Sequence, residues 1–268
     1  MLTTAREAVI AASEILKENF RKISRAQIRV KSKNDFITYV DERSEQKIID
    51  IIQNKFPSHD IFAEETGSKK MDSDYRWIID PLDGTKNYIS GIPIFSISIA
   101  LQYKNDIILG IIYDPIQNEM FYAEKNQGAF LNGNPIKVNN EPNLENSLLA
   151  TGFPFKFKQY LPPYMDCFED LFLHCSGIRR MGSAAIDLAY VAAGRFEGFW
   201  ELGLSPWDIA AGAIIIKEAG GFISDFWKNN NYLQNTFVVA SNALIHDQFL
   251  AVIKKYFPKP LIIERESK

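Results

Sequence analysis

Apolar residues recur at helical spacing near the start of the chain, at Ala5, Ala8, Val9, Ala12, Ile15, Leu16 and Phe20. That period predicts an amphipathic helix over residues 3–20. A polar, basic stretch follows, Lys31-Ser32-Lys33-Asn34-Asp35, and reads as a mobile loop. Val40, Ile48, Ile51, Ile52 and Phe56 predict a second helix over 38–56, ended by Pro57. Ile61-Phe62-Ala63 then reads as a short strand delivering Glu64 and Glu65 at its end.

Between residues 94 and 138 the period changes to two. Phe95, Ile97, Ile99 and Leu101 alternate with Ser96, Ser98 and Ala100, which predicts a strand. Lys104-Asn105-Asp106 reads as a turn, 107–113 as the returning strand and 120–123 as the next. Asn132-Gly133 is a hairpin signal between 129–131 and 136–138. The region is an antiparallel meander rather than a doubly wound parallel sheet.

After Glu141-Pro142-Asn143 a second half begins, with strands expected at 148–151, 177–181, 196–201 and 237–240. Helices are expected at 164–173, 183–193, 208–219 (closed by Gly220-Gly221) and 244–256, before a charged tail. The expected fold is one α+β domain over residues 1–268, a layered sandwich with halves of about 1–142 and 143–268. The break near 139–147 reads as structural, not as a flexible hinge.

Composition narrows the function. A length of 268 residues with 46% hydrophobic and 24% charged positions suits a globular protein with a sizeable core. A formal net charge of −3 lacks the basic excess of a broad nucleic-acid footprint. The two cysteines, Cys167 and Cys175, show no metal-type spacing and read as inert thiols of a reducing cytoplasm. No run approaches the roughly 18–20 apolar residues needed to span a bilayer. Arg6, Glu7 and Glu14 interrupt the N-terminal apolar stretch, so no signal peptide is expected there.

Two segments carry the chemistry. Trp77-Ile78-Ile79-Asp80-Pro81-Leu82-Asp83-Gly84-Thr85 runs an apolar strand into two carboxylates and a glycine turn. Proline fixes its own φ and holds its predecessor extended, so both aspartates and the Leu82 carbonyl can converge beyond the strand. Backbone N–H groups of Gly84 and Thr85 can face a phosphate oxygen. Ser205-Pro206-Trp207-Asp208 sets an aspartate at the start of a small-residue helix. An aspartate there is often only a cap, but the Ile209-Ala210-Ala211-Gly212-Ala213 run lets that helix pack closely and hold its first turn still. Glu64 adds a further anion. Asp41 and Glu45 read as helix-face charge, and Arg179-Arg180 as surface or interface charge. Oxygen ligands of this kind suit Mg²⁺. Together Glu64, Asp80, Asp83 and Asp208 carry four negative charges that repel a phosphate ester until two or three Mg²⁺ ions offset them. The reaction expected is hydrolysis of a small phosphate monoester by metal-activated water, with Glu64 and Thr85 orienting and deprotonating it.

These motifs, with Phe62-Ala63-Glu64-Glu65, residues 77–88, Gly182-Ser183-Ala184-Ala185 and the stretch from Trp200-Glu201 to Gly221, resemble the inositol monophosphatase family of lithium-sensitive, Mg²⁺-dependent phosphomonoesterases. The resemblance spans nearly the whole chain and implies an αβαβα sandwich, commonly homodimeric. It implies that Glu64, Asp80, the Leu82 carbonyl, Asp83 and Asp208 hold metal, and that Asp41 supports Thr85. By the same resemblance Asp83, Gly84, Thr85, Ser183, Ala184, Glu201 and Asp208 contact substrate, and Lys31 lies in a mobile loop completing a third metal site. Ala63 stands where the family often has glycine. Lys86 also occurs in relatives acting on 3′-phosphoadenosine 5′-phosphate, whereas Asn87-Tyr88 and the stretch from Trp200 to Leu204 look like the bacterial inositol-phosphate branch. The leading substrate is myo-inositol 1-phosphate. Fructose 1,6-bisphosphate, whose second phosphate Arg179-Arg180 would contact, and 3′-phosphoadenosine 5′-phosphate are the alternatives. A non-enzymatic alternative is a protein partner in transcription or RNA processing.

Overall fold

A computed structural model describes residues 1–32 and 35–260, with the side chains of residues 25, 31, 32 and 35 outside the description. The first half runs α1 (Leu2–Asn19), β1 (Ile28–Ser32), β2 (Asp35–Thr38), α2 (Tyr39–Lys55), β3 (Asp60–Ala63), β4 (Gly67–Lys69), β5 (Tyr75–Asp83) and α3 (Thr85–Ile89). The meander follows as β6 (Ser96–Tyr103), β7 (Asp106–Asp114), β8 (Glu119–Glu124), β9 (Ala129–Leu131) and β10 (Asn134–Ile136). The second half adds β11 (Leu148–Thr151), α4 (Leu161–Leu173), β12 (Gly177–Arg179), α5 (Ala184–Ala192), β13 (Gly198–Leu202) and α6 (Pro206–Glu218). It closes with β14 (Phe222–Ser224), α7 (Tyr232–Asn235), β15 (Phe237–Ser241) and α8 (His246–Tyr256).

Three apolar cores separate five layers. One lies between α1 and α2 and a face of the sheet ordered β10-β9-β8-β7-β6-β5-β3-β4; Ala5, Ala8, Val9, Ala12 and Leu16 are fully buried there against Trp77, Ile97 and Ile99. The second joins the other face of that sheet to α5 and α6 and to the sheet ordered β12-β11-β13-β15-β14. The third packs α4 and α8 on the far face of the smaller sheet, around Trp200, Phe237 and Phe249. The result is the αβαβα sandwich. Each fully buried Leu, Ile or Phe contributes about 1.5–3 kcal/mol.

The central sheet departs from the simple alternation of its sequence. Ser96, Ser98 and Ala100 are as buried as the apolar residues between them, because helices cover both faces. Ser98 Oγ meets its need by donating to the Trp207 carbonyl at 3.0 Å. The meander is antiparallel throughout β5 to β10, while β3 pairs parallel with β5, and β11 pairs parallel with β12 and β13. Of the loop expected at 31–35, residues 31, 32 and 35 lie instead in two antiparallel strands, with Val30 opposite Phe36 and Ser32 opposite Asp35. Residues 33 and 34, the side chain of Lys31 and the charged tail from residue 261 lie outside the described residues.

Candidate active site

The site begins with a defect in β5. Asp80 pairs with Ser98 and Asp83 with Ser96, so three steps on one strand match two on its neighbour. Carboxylates three positions apart on a regular strand point to opposite faces. The bulge brings them to one side, and Pro81, which has no N–H for the ladder, sits within it. The backbone set free is used locally. Leu82 N–H donates to Asp80 Oδ1 at 2.9 Å, and Ser44 Oγ donates to the Pro81 carbonyl at 3.0 Å.

Asp208 arrives from α6, where its Oδ2 accepts from Ser205 N–H at 2.6 Å in a capping box. Carboxylate oxygens of Asp80, Asp83 and Asp208 lie within 4.8 Å of one another. At that range and an effective dielectric near 20, each charged pair repels by roughly 3–4 kcal/mol. Three such repulsions would consume most of the roughly 5–15 kcal/mol stability of an ordinary domain, so protons or cations must offset them. Without cations the acids keep their protons to higher pH than ordinary carboxylic acids do. Burial, then Glu64, Asp83 and Asp208, push Asp80 well above the usual carboxylate range. Burial and Asp208 raise Asp83 to about 7 against the hydrogen bonds from Ser183 and Ala185, and burial and Glu64 raise Asp208 to about 6.

The expected residues surround this centre. Glu64, Leu82, Gly84, Thr85, Ser183, Ala184 and Glu201 line one cleft with the three aspartates. Glu64 borders the cleft without joining the tight triad, and Glu65 does not line it. Gly84 has φ 94°, and a side chain there would press on the Ile94 and Gly182 carbonyls, so glycine is required. Ser183 caps α5 and donates to Asp83 Oδ2 at 2.5 Å, beside Ala185 N–H at 2.8 Å. Thr85 Oγ1 lies 3.0 Å from the Leu82 carbonyl and 3.3 Å from Asp41 Oδ1; its single hydrogen serves one of them at a time.

Two readings of surface charge are overturned. Asp41 and Glu45 are buried at 1% and 0% exposure. Thr38 N–H and Oγ1 donate to Asp41 Oδ2 at 2.9 and 2.6 Å, while burial raises this carboxyl to about 6. Glu45 accepts from the Glu65 and Thr66 amides, both at 2.8 Å, and so holds the turn after Glu64. A carboxylate that ties down backbone donors looks the same in sequence as a solvated one. Arg179 and Arg180 are both exposed, as expected of surface charge, and Arg180 also lines the cleft with Lys86 and Lys156; Lys86 Nζ lies 4.6 Å from the Phe155 ring. Asn87, which the sequence marks only as part of a family-like pair, has a structural task; its amide bridges the Ile94 and Met181 carbonyls at 2.8 Å each. The residue that sequence reasoning misses is Asp187, a lone acid inside an apolar helix run, which lines the cleft at 2% exposure.

The remaining wall is built differently. Burial and Asp208 raise Glu201 on β13 to about 8, with Arg180 opposing. Any side chain at Gly152 would overlap the Glu201 carboxyl. Every metal-capable donor in the cleft is oxygen, with no histidine or cysteine among its lining residues. That donor set fits a hard divalent ion and not zinc or copper. The cysteines stand apart; Cys167 is buried and its thiol pushed up to about 12. Among the described residues no helix is long and apolar enough to cross a membrane.

Layered α+β architecture with an all-oxygen carboxylate centre at a strand bulge defines a fold and site able to hold hard divalent cations. The sequence pattern of the inositol monophosphatase family matches residues 1–257, and the chain belongs to that family. It is similar to the Nus factor SuhB of Escherichia coli (strain K12), 44% identical over 252 residues and 94% of each chain. Among solved structures it is similar to extragenic suppressor protein suhB from Bartonella henselae, with TM-score 0.92, 36% identity and coverage of 95% of this chain and 98% of that one. The inositol monophosphatase from Anabaena gives TM-score 0.85, 38% identity and coverage of 97% and 96%.

Proposed function

We propose that this chain is a Mg²⁺-dependent phosphomonoesterase acting on a small polyol phosphate, first of all myo-inositol 1-phosphate. The convergence of Asp80, Asp83 and Asp208 within 4.8 Å carries the reading, because only cations or protons reconcile those charges. Asp80, Asp83, Asp208, Glu64 and the Leu82 carbonyl would hold two or three Mg²⁺ ions. When bound, the ions supply positive charge for the phosphoryl oxygens, an activated water and stabilisation of the leaving oxygen.

The residues of the chain do the rest. Glu64 and Thr85 orient the attacking water and take its proton, and Asp41 fixes Thr85. The Gly84 and Thr85 amides hold the phosphoryl group. Water adds to phosphorus as the ester P–O bond breaks, the alcohol leaves with a proton, and inorganic phosphate remains. Glu201, Ser183 and Ala184 contact the alcohol. Family membership and the oxygen-only donor set support this assignment. Exposed Leu161, Met165, Phe172 and Leu173 on α4 form an apolar face that supports association as a homodimer, a point that light scattering tests.

Phosphate release from myo-inositol 1-phosphate, fructose 1,6-bisphosphate and 3′-phosphoadenosine 5′-phosphate tests the proposal. Release is expected with Mg²⁺, inhibited by lithium and abolished in excess EDTA; full turnover in EDTA would refute it. Lys86, Lys156 and Arg180 in the cleft favour fructose 1,6-bisphosphate as a second substrate. The name Nus factor on relatives 44% identical favours a second role as a protein partner in transcription or RNA processing. A D208N chain that is inactive yet keeps its protein partner would separate the two roles.

A further inference from the structure

Asp187 is unexplained by the chemistry above. It is the fourth residue of α5, is 2% exposed, and lines the cleft, so the little surface it keeps faces that space. Its Oδ1 is buried with no hydrogen-bond partner among the described residues. A carboxyl in the first turn of a helix is favoured by the N-terminal dipole, which accounts for an acid at this point but not for an unmet buried acceptor. Leaving such an acceptor unmet costs about 1–3 kcal/mol, and structures rarely keep one without a use. Leucine or alanine would suit the surrounding Ala184, Ala185, Ile186 and Leu188 far better.

The neighbours indicate the use. Asp187 lies within electrostatic reach of Glu201 and Asp83, with Arg180 as the opposing cation. Glu201 lines the same cleft, pressed against Gly152. This wall therefore presents two carboxyl groups rich in acceptors. Phosphate oxygens have no hydrogen to offer and are repelled by carboxylates. Hydroxyl groups donate, and adjacent hydroxyls on one ring can serve adjacent acceptors.

We propose that Asp187 is a substrate-contacting specificity residue that, with Glu201, accepts hydrogen bonds from hydroxyls of the leaving group and so selects polyol phosphates over phosphates of unhydroxylated alcohols. This inference rests on the phosphomonoesterase reading and refines its substrate class. Myo-inositol 1-phosphate and 4-nitrophenyl phosphate, whose leaving group carries no free hydroxyl, provide the test in Mg²⁺ with wild type, D187N and D187L. D187L is expected to lower kcat/KM for the inositol ester by roughly tenfold or more, mainly through KM. Its kcat/KM for 4-nitrophenyl phosphate should stay within about twofold, and D187N should recover part of the inositol activity. The melting temperature of D187L should not fall, since an apolar group replaces an unmet polar one. Equal losses on both esters, or no loss on either, would overturn the inference while leaving the phosphatase reading intact. A lower melting temperature with equal losses would assign Asp187 a purely structural role. A wild-type chain that hydrolyses neither ester would bring down both.

Discussion

The two walls of the cleft contain the same functional group and treat it in opposite ways. On the first wall three acids are tied to donors, Asp80 to Leu82 N–H, Asp83 to Ser183 and Ala185, and Asp208 to Ser205 N–H, and behind it Asp41 is tied to Thr38 and Glu45 to the Glu65 and Thr66 amides. On the second wall Glu201 is held by packing against Gly152, and Asp187 Oδ1 has no partner among the described residues. Anchored carboxylates keep their geometry when charge enters and leaves. Unanchored ones retain acceptor capacity for whatever enters. Rigidity and recognition are thus divided between walls that are both rich in acid.

The largest expected break in this contrast is D208N. Activity should fall more than about a hundredfold, since even residues that only support metal ligands are worth 10–100-fold. Asparagine still accepts from Ser205 N–H, and like-charge repulsion is relieved. Calorimetry in EDTA should therefore show a melting temperature equal to or above that of wild type. A cooperative loss of structure would show that Asp208 serves the fold.

Next in size is the pH response of the metal-free protein. Asp41 and Asp208 titrate at about 6, Asp83 at about 7 and Glu201 at about 8, against ordinary values near 4. The native state then binds more protons than the unfolded state above pH 4, so stability is fullest near pH 4 and falls as pH rises toward 8. Melting in EDTA should drop by several degrees between pH 5 and 8, and Mg²⁺ should reverse the drop at pH 8. A flat profile would mean the acids are less crowded than their distances imply.

Removing one anchor is a finer probe. S183A deletes the hydroxyl that donates to Asp83 and caps α5. It should cost about 1 kcal/mol of stability and weaken Mg²⁺ affinity by about tenfold, as read by denaturant titration and metal-dependent turnover. The smallest structural effect is expected for E201Q. With Glu201 near 8, the neutral form predominates at pH 7 and glutamine mimics it, so stability should stay within about 0.5 kcal/mol while KM for the polyol ester changes. A large loss of stability would show that this wall is anchored after all.

Legibility in sequence follows the same division. Asp80, Asp83 and Asp208 are readable because each ends a strand or opens a helix beside proline, glycine or small residues. The meander is readable from its period, yet its two-faced burial is not, because Ser96 and Ser98 look like a solvent face until the starts of α5 and α6 cover them. Asp41 and Glu45 lie among the charges of α2, where nothing local distinguishes a buried carboxylate from a solvated one. The pairing of strand 28–32 with strand 35–38 is hidden by polar composition. Asp187 did leave a signal, one acid in the run Ala184 to Ala192, but that signal says only that the residue is unusual.

The extra residue in β5 sets a limit on engineering this protein. Leu82 and Pro81 give up regular pairing there, and their backbone groups serve Asp80, Thr85 and Ser44 instead. Any change that tempts the strand back into an unbroken ladder pulls the acidic centre apart in exchange for a firmer sheet. Thermostable variants should therefore be sought in the outer helical layers, where tighter packing leaves residues 80–83 undisturbed.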